Sequence, residues 1–488
     1  MKKSWMNFVC ILLCILIPFA LIASLGFFIP SQFDRTFLGE LKYKVDRLYS
    51  IDEPKIVVIG GSSVPFGVDS ALLEEAVGMP VVNFGLYATL GTKMMLDLSL
   101  DAIKEGDVVV IAPETDPQTY SLYFNAEAAW QACDSDFSIL LKMSSDDYSA
   151  MFGGYWKYAS QKLKYALGSE HLDPSGIYNR ASFNEYGDIS YSRPYNVMML
   201  GYDTNTPVSF STDIISDDFV DYVNLYTEKA EKKGAKVFVS FSPMNEDAIP
   251  LDTDLETLAA FTSYIDEKFT AARISDPNCF IYQSGYFYDS NFHVNDAGMV
   301  LHTATLAGDL AAALDTPLLK EIDIPPVPEK PEIPDDPIDE YDENEKYFVM
   351  SELEVAGKTV GYAIVGTTDE GKTQTVLTTP KVYNKMKVIR ISEGAFAGCG
   401  ALKEIYVETT INQLENGAFA DAPSLEKVHI LEPDPNMIEV DCFVDGATDG
   451  LCRGMNPKAR FYVPAESFND YSLGYFWWKY SEYLLPEQ

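Results

Sequence analysis

Across 488 residues the chain sets 73 acidic against 36 basic side chains, a formal charge of −37 that repels phosphate backbones and anionic lipid surfaces and argues against nucleic-acid binding. Apolar residues at 47% and aromatics at 13% mark a globular protein, and the length exceeds one ordinary core, so two or three domains are expected. Cys133, Cys279, Cys399, Cys442 and Cys452 show no CxxC and no His/Cys spacing of a zinc site. Their odd number forbids complete pairing. Cys442 and Cys452 bracket a Gly/Asp-rich loop and either close a small disulfide in an exported domain or stay reduced.

Phe8 to Ile29 form a 22-residue apolar run broken only by Ser24, behind Lys2 and Lys3. As a helix it would span roughly 33 Å, enough to cross a bilayer. No small-x-small cleavage site stands between Ala20 and Gly26, and no lipobox precedes Cys10 or Cys14, so residues 1–30 read as an uncleaved anchor. Arg35, Lys42, Lys44 and Arg47 outnumber Lys2 and Lys3, which leaves the loop-charge rule equivocal. The short amino-terminal tail favours placing the bulk of the chain outside, and the inward orientation is the alternative. Residues 31–50 read as a charged, membrane-proximal segment, helical from Arg35 to Ser50.

From Lys55 the pattern alternates. Strands are predicted at Ile56–Ile59, Val81–Phe84, Val108–Ala112, Lys236–Ser242 and Phe280–Gln283, and helices at Ser70–Val77, Thr92–Ile103, Val220–Lys233, Leu255–Phe269 and Asn295–Leu314. Five short apolar strands separated by helices imply a parallel, five-stranded, three-layer α/β/α domain over residues 51–320. The Tyr-, Ser- and Asp-rich stretch 118–216 interrupts it as an insertion, a candidate lid or substrate wall. Residues 321–346, which contain Ile324-Pro-Pro-Val-Pro and then a run of acids to Glu345, form an extended spacer.

Residues 347–488 contain a repeat. Gly394-Ala-Phe-Ala-Gly-Cys-Gly-Ala-Leu-Lys-Glu-Ile-Tyr-Val407 recurs as Gly417-Ala-Phe-Ala-Asp-Ala-Pro-Ser-Leu-Glu-Lys-Val-His-Ile430, aligning Phe396 with Phe419, Leu402 with Leu425 and Ile405 with Val428. Fixed apolar positions at a constant period are how a solenoid stacks its units. A degenerate third copy runs from Cys442-Phe443 to Phe461-Tyr-Val-Pro464, and Tyr475 to Tyr480 would cap the stack.

The chemistry concentrates at two distant places. The buried run Lys55-Ile-Val-Val-Ile ends abruptly in Gly60-Gly61-Ser62-Ser63, where the carboxyl end of a parallel strand displays functional groups. Of the four histidines, His171, His293, His302 and His429, only His293 stands on a loop with an acid, Asp289, just before it and a helix just after. A serine hydroxyl becomes nucleophilic when an imidazole takes its proton and a carboxylate holds that imidazole's tautomer, so Ser62, His293 and Asp289 supply the three parts of a catalytic relay. His302 is expected to face the core.

On these motifs residues 55–315 resemble an SGNH (GDSL-type) hydrolase, of the branch that includes membrane-anchored proteins of cell-surface polysaccharide and teichoic-acid acylation. Gly60-Gly61-Ser62 stands where that family has Gly-Asp-Ser, which implies Ser62 as nucleophile, with Ser63 the alternative if the register shifts by one. Asn83-Phe-Gly85-Leu-Tyr-Ala88 resembles the second block. The resemblance implies an oxyanion hole drawn from the amides of Ser62, Gly85 and Ala88, the last standing at a usual glycine. Where the third block offers an asparagine, this chain has Glu114. The last block usually spaces its acid three before the histidine, whereas Asp289 precedes His293 by four and Ser290 takes the usual place. Asn83, Glu114 and Asn291 are further site candidates. The repeats resemble the leucine-rich repeats of BspA-type bacterial surface proteins.

The resemblance implies a membrane-anchored extracellular serine esterase or O-acyltransferase acting on an acylated polysaccharide or envelope polymer. A membrane acyl-transfer protein is the implied partner of a transferase. No metal or organic cofactor is suggested. The competing expectation is a non-catalytic surface adhesion or scaffold protein that binds through its repeats.

Overall fold

The structure is a computed structural model that describes residues 24, 26–168, 177–198, 201–203, 206–251, 253–329, 342–355, 358–440, 450–473 and 477–487. It divides into two compact units, one made largely of the chain up to Glu329 and the other largely of Lys330–Gln488.

The first unit is built on a parallel sheet. Strands β1 (Ile56–Gly60), β2 (Val81–Gly85), β3 (Val108–Ile111), β4 (Lys236–Val239) and β6 (Ala272–Arg273) lie in the order β2-β1-β3-β4-β6. Every residue of β1, β2 and β3 is buried, as expected of strands covered on both faces. On one face Ile56, Val58, Val108 and Val110 pack with Val64 and Val68 around helix α2 (Ser63–Gly67), Leu73 of α3 (Ser70–Val77), and Leu306 and Leu310 of α9 (Asp296–Leu314). Helices α4 (Thr92–Leu100) and α7 (Asp217–Lys232) pack on each other, α4 against β1 and α7 against β4, and α8 (Leu255–Lys268) packs against β6.

One expectation needs correction here. The fifth strand is not Phe280–Gln283 but Ala272–Arg273. The apolar stretch predicted for it instead forms β7 (Ile281–Tyr282), which pairs in parallel with β5 (Met244–Asn245) away from the main sheet. The edge strand is two residues long and partly exposed, so it lacks the buried apolar run by which central strands announce themselves. Within residues 31–50 the chain packs on the sheet. Helix α1 (Leu41–Ser50) buries Leu41, Lys44, Val45 and Leu48 at helical spacing and packs against β2.

The insertion carries two packed helices, α5 (Ala126–Ala132) on α6 (Tyr148–Ala166). The start of the expected spacer is also not free. Pro325 O accepts from the Tyr286 hydroxyl at 2.8 Å. Residues 330–341 of that stretch lie outside the described residues.

Most of the apolar run 8–29 also lies outside the described residues. Among the described residues one helix, α9, is long and apolar enough to cross a membrane, and it is a core helix whose Leu306, Ala307 and Leu310 are buried.

The second unit carries two sheets. An antiparallel pair, β8 (Phe348–Val355) and β9 (Lys358–Thr367), which the sequence did not announce, leads into β12 (Met386–Ile391), β14 (Gln413–Leu414) and β16 (Glu439–Val440) in parallel, with β11 (Val382–Tyr383) on the side. The other sheet runs β10 (Val376–Thr378), β13 (Glu404–Val407), β15 (Lys427–Ile430), β17 (Arg460–Val463), β18 (Leu484–Pro486), all parallel. Matching repeat positions pair directly: Glu404 faces Lys427 and Arg390 faces Gln413, each 23 residues on. Phe396 and Phe419 stack with centroids 5.6 Å apart and planes 5° from parallel. Leu402, Leu425, Ile405 and Val428 are fully buried. Short α10 (Phe468–Leu473) and buried Trp477 close the far end, where Trp477 meets Phe461 and Tyr471 edge-on. Cys442, Phe443 and Tyr475 lie outside the described residues, and with them the Cys442–Cys452 pairing and the start of the third copy.

Candidate active site

Ser62 stands two residues past the end of β1 and precedes α2, with ordinary helical backbone angles of −69° and −21°. Its Oγ lies 2.8 Å from His293 Nε2, across 231 residues of sequence. On the other side of the ring, His293 Nδ1 lies 2.7 Å from Asp289 Oδ1. With the proton on Nδ1 donated to the carboxylate, Nε2 accepts from the serine hydroxyl, which is the tautomer a general base requires.

The loop before α9 accommodates the longer acid-to-histidine spacing. Phe287 bridges Val294 antiparallel, and Tyr288 N donates to His293 O at 2.8 Å. Inside that closure Ser290 Oγ accepts from the amides of Phe292 and His293 at 3.2 and 3.1 Å, so the serine at the usual acid position shapes the loop. Asn295 then caps α9 by accepting from Gly298 N.

Two residues support the relay that sequence reading did not single out. Phe66, four residues past Ser62, stacks on the imidazole with centroids 4.0 Å apart and planes 11° from parallel. Tyr178, from the insertion, donates its hydroxyl to Asp289 Oδ2 at 2.9 Å and lies 3.3 Å from His293 Nδ1. The i, i+4 spacing within the Ser62 motif was a signal for Phe66. Tyr178 had none, being one tyrosine among several in a Tyr-rich stretch. Tyr178→Phe should slow covalent modification of Ser62 about ten- to a hundredfold, the worth of one hydrogen bond to a charged group, and stopped-flow labelling with a fluorophosphonate measures it.

The remaining candidates divide. Ser63 Oγ is buried with no hydrogen-bond partner among the described residues, while its amide donates to Glu114 Oε1 at 2.9 Å, so Ser62 is the serine that meets the imidazole. Glu114 is thus an acceptor for a helix-start amide. It lies so close to Gly61 that a methyl group there would collide with both carboxylate oxygens, so any larger residue before the serine would have to displace the Glu114 carboxylate.

Asn83 faces away from the reaction centre: Nδ2 donates to Val64 O at 3.1 Å and Asp188 Oδ1 at 2.8 Å, and Oδ1 accepts from the Lys44 ammonium at 3.2 Å. Burial pulls that ammonium down to about 8, against the opposing charges of Glu40 and Asp188. Asn291 is likewise structural, its side chain bonding the backbone of Asp203 and Thr206.

Among the proposed oxyanion donors, the Gly85 amide is directed at Asn83 Oδ1, 3.4 Å away. The Ser62 and Ala88 amides donate to no protein acceptor among the described residues. Ala88 opens a short 3-10 turn after β2.

Beside Glu114, Asp116 is pushed up to about 6, first by burial and then by the Glu114 charge, against the amides of Gln118 and Thr119. Below the ordinary carboxylate range it is protonated folded or unfolded. As pH rises through about 6 the folded protein must ionise a group that the open chain ionises more easily, and stability falls. Asp116→Asn removes that loss. Its melting temperature should overtake the parent's by a few degrees between pH 4 and 7, as read by thermal scans of both proteins.

The site is closely covered, with Ser62 and His293 exposed by only 6% and 8%. His302 is buried as expected, its Nδ1 2.7 Å from Gly67 O, and burial lowers its pKa. His171 lies outside the described residues. Among the described residues no group of three or more His, Cys, Asp or Glu is placed to hold a metal ion.

No family model matches the chain, and no curated protein matches it. A crystal structure of a leucine-rich repeat protein from Bacteroides ovatus ATCC 8483 matches over 25% of this chain and 31% of that one, at 17% identity and a TM-score of 0.17. No conclusion on fold or ligand follows from a likeness that slight.

Proposed function

We propose that the chain is a serine esterase or O-acyltransferase of SGNH type, anchored by its amino-terminal apolar run and acting outside the membrane on an acylated cell-surface polysaccharide or related envelope polymer. The observation that carries the reading is the relay from Ser62 Oγ through His293 to Asp289, at 2.8 and 2.7 Å. His293 Nε2 takes the hydroxyl proton as Ser62 Oγ attacks the ester carbonyl carbon. The carbonyl electron pair moves to oxygen, which the Ser62 and Ala88 amides are available to receive.

Collapse of that intermediate expels the alcohol, which leaves with the proton held by His293, and the acyl group stays on Ser62. Water or a sugar hydroxyl then attacks the acyl carbon as His293 again accepts a proton, and Ser62 is restored. Water gives deacylation. A sugar hydroxyl gives transfer, and a membrane protein delivering the acyl group would then be the partner. Asp289 accepts from His293 Nδ1 throughout and holds the ring.

The second unit fits a short solenoid of BspA-type leucine-rich repeats, a reading supported by the 23-residue register of its parallel strands and the Phe396/Phe419 stack. Its role would be to hold the enzyme on a surface ligand.

The test is labelling of the full chain with a fluorophosphonate and location of the adduct by peptide mass spectrometry. An adduct on Ser62 that is absent from Ser62→Ala is expected. No adduct on folded protein would sink the catalytic reading and leave the scaffold reading, with the repeats as the binding part.

A further inference from the structure

We infer that the face of the first unit around Phe27, Leu141 and Phe152 seats in the headgroup region of the bilayer, so that the α/β unit rests on the membrane surface. The inference rests on the proposed anchor. Phe27 is two residues from the end of the apolar run, and at about 1.5 Å per helical residue it stays within roughly 3 Å of the hydrocarbon edge if that run spans.

The chain leaving the run does not swing free. Asp134, buried between α5 and α6, accepts from Ser31 Oγ at 2.8 Å and from the amides of Gln32 and Phe33 at 2.6 and 3.1 Å. It also pairs with Lys162, whose ammonium donates to Gly26 O at 3.0 Å. The Phe27 ring packs on Trp130, Phe137 and Tyr155 with centroids 5.8, 5.1 and 5.2 Å away. Those rings therefore go wherever the end of the run goes.

Beside them opens an apolar groove of about 480 Å³, lined among others by Phe27, Trp130, Phe137, Leu141, Tyr148 and Phe152. Phe28, Leu141 and Phe152 are 81%, 76% and 65% exposed. Contiguous apolar surface of this kind marks an interaction site.

Composition distinguishes a bilayer from another protein as the occupant. Helix α6 carries six aromatics and three lysines in 19 residues and no acid, in a chain with 73 acidic residues. Lys162 pairs with Asp134, Lys157 with Glu127 and Lys93 with Asp147, so three carboxylates flanking this helix are neutralised and the repulsion that the chain's net charge imposes on lipid surfaces is reduced there, opposed by the exposed Asp146 just before the helix. Aromatic enrichment is what the bilayer interface selects.

The experiment reconstitutes the full chain in phosphatidylcholine vesicles containing a lipid with a diazirine near the glycerol end of its acyl chain, then maps photo-adducts by peptide mass spectrometry. Adducts are expected both within residues 8–29 and on the peptides bearing Leu141, Tyr148 and Phe152, at least tenfold above those on Leu251 and Leu255, which are as exposed but lie elsewhere in the chain. Leu141→Glu with Phe152→Glu should remove the second set tenfold and spare the first. Adducts confined to 8–29 would overturn the docked face and leave the anchor standing. Adducts on the face alone would support the face and overturn the anchor, and adducts on neither would overturn both. Labelling of Leu251 and Leu255 at the same level, or labelling unchanged by the glutamates, would also overturn the face.

Discussion

Ser62→Ala and His293→Gln should each lower ester turnover by about four to six orders of magnitude, and the double variant should be no worse than the more severe single. Without an imidazole 2.8 Å from Oγ, the hydroxyl has no base to take its proton; without the hydroxyl, the base has nothing to activate. Groups that act as one unit lose their whole contribution when either is lost. The measurement is kcat for release of a chromogenic alcohol from its acetate ester by the full chain. Losses that add in the double variant would mean that the two side chains work independently, which a relay does not permit. Glutamine at 293 keeps a polar side chain near Asp289, whose own side chain is fully buried, so that the variant tests chemistry and not the cost of an abandoned carboxylate.

How far the sequence reveals this depends on the kind of constraint each residue satisfies. Strands β1 and β3 are legible because burial on both faces demands an unbroken apolar run, and the end of the β1 run locates Ser62. The edge strand Ala272–Arg273 is illegible because an edge makes no such demand, and the apolar Phe280 and Tyr282 drew the assignment to themselves. His293 and Asp289 are legible from local context. Tyr178 is illegible because its partners are over a hundred residues away and nothing in its own neighbourhood encodes the contact.

Asn83 and Asn291 show the converse: asparagines beside the motifs are buried in networks that fix loops and strands, and adjacency in sequence says nothing about which way an amide turns. The 23-residue period is legible because a repeated core position must reappear at a constant interval to stack on itself, as Phe396 does on Phe419.

The second large effect is expected at the opposite end of β1. Lys55 and Asp107 are fully buried and form an ion pair of 3.0 Å, immediately before Ile56 and Val108, which face each other in the sheet. Asp107 also accepts from the amides of Lys55 and Lys104 at 3.1 and 2.9 Å, so one carboxylate ties the starts of both strands. Removing one charge of a buried pair strands the other, and Lys55→Met should cost about 3–5 kcal/mol. Hydrogen exchange of the β1 and β3 amides should speed up by about two to nearly four orders of magnitude, a factor of ten for each 1.4 kcal/mol.

Lys55→Met with Asp107→Asn should recover more than half of that loss, since the neutral amide keeps an acceptor for the strand-start amides and carries no charge. Because the pair lies at the start of β1 and Ser62 just past its end, protein still folded in the single variant should label with fluorophosphonate at the parent rate. A slowed label in fully folded protein would mean that the register itself had slipped, and that the ion pair positions the nucleophile as well as holding the sheet.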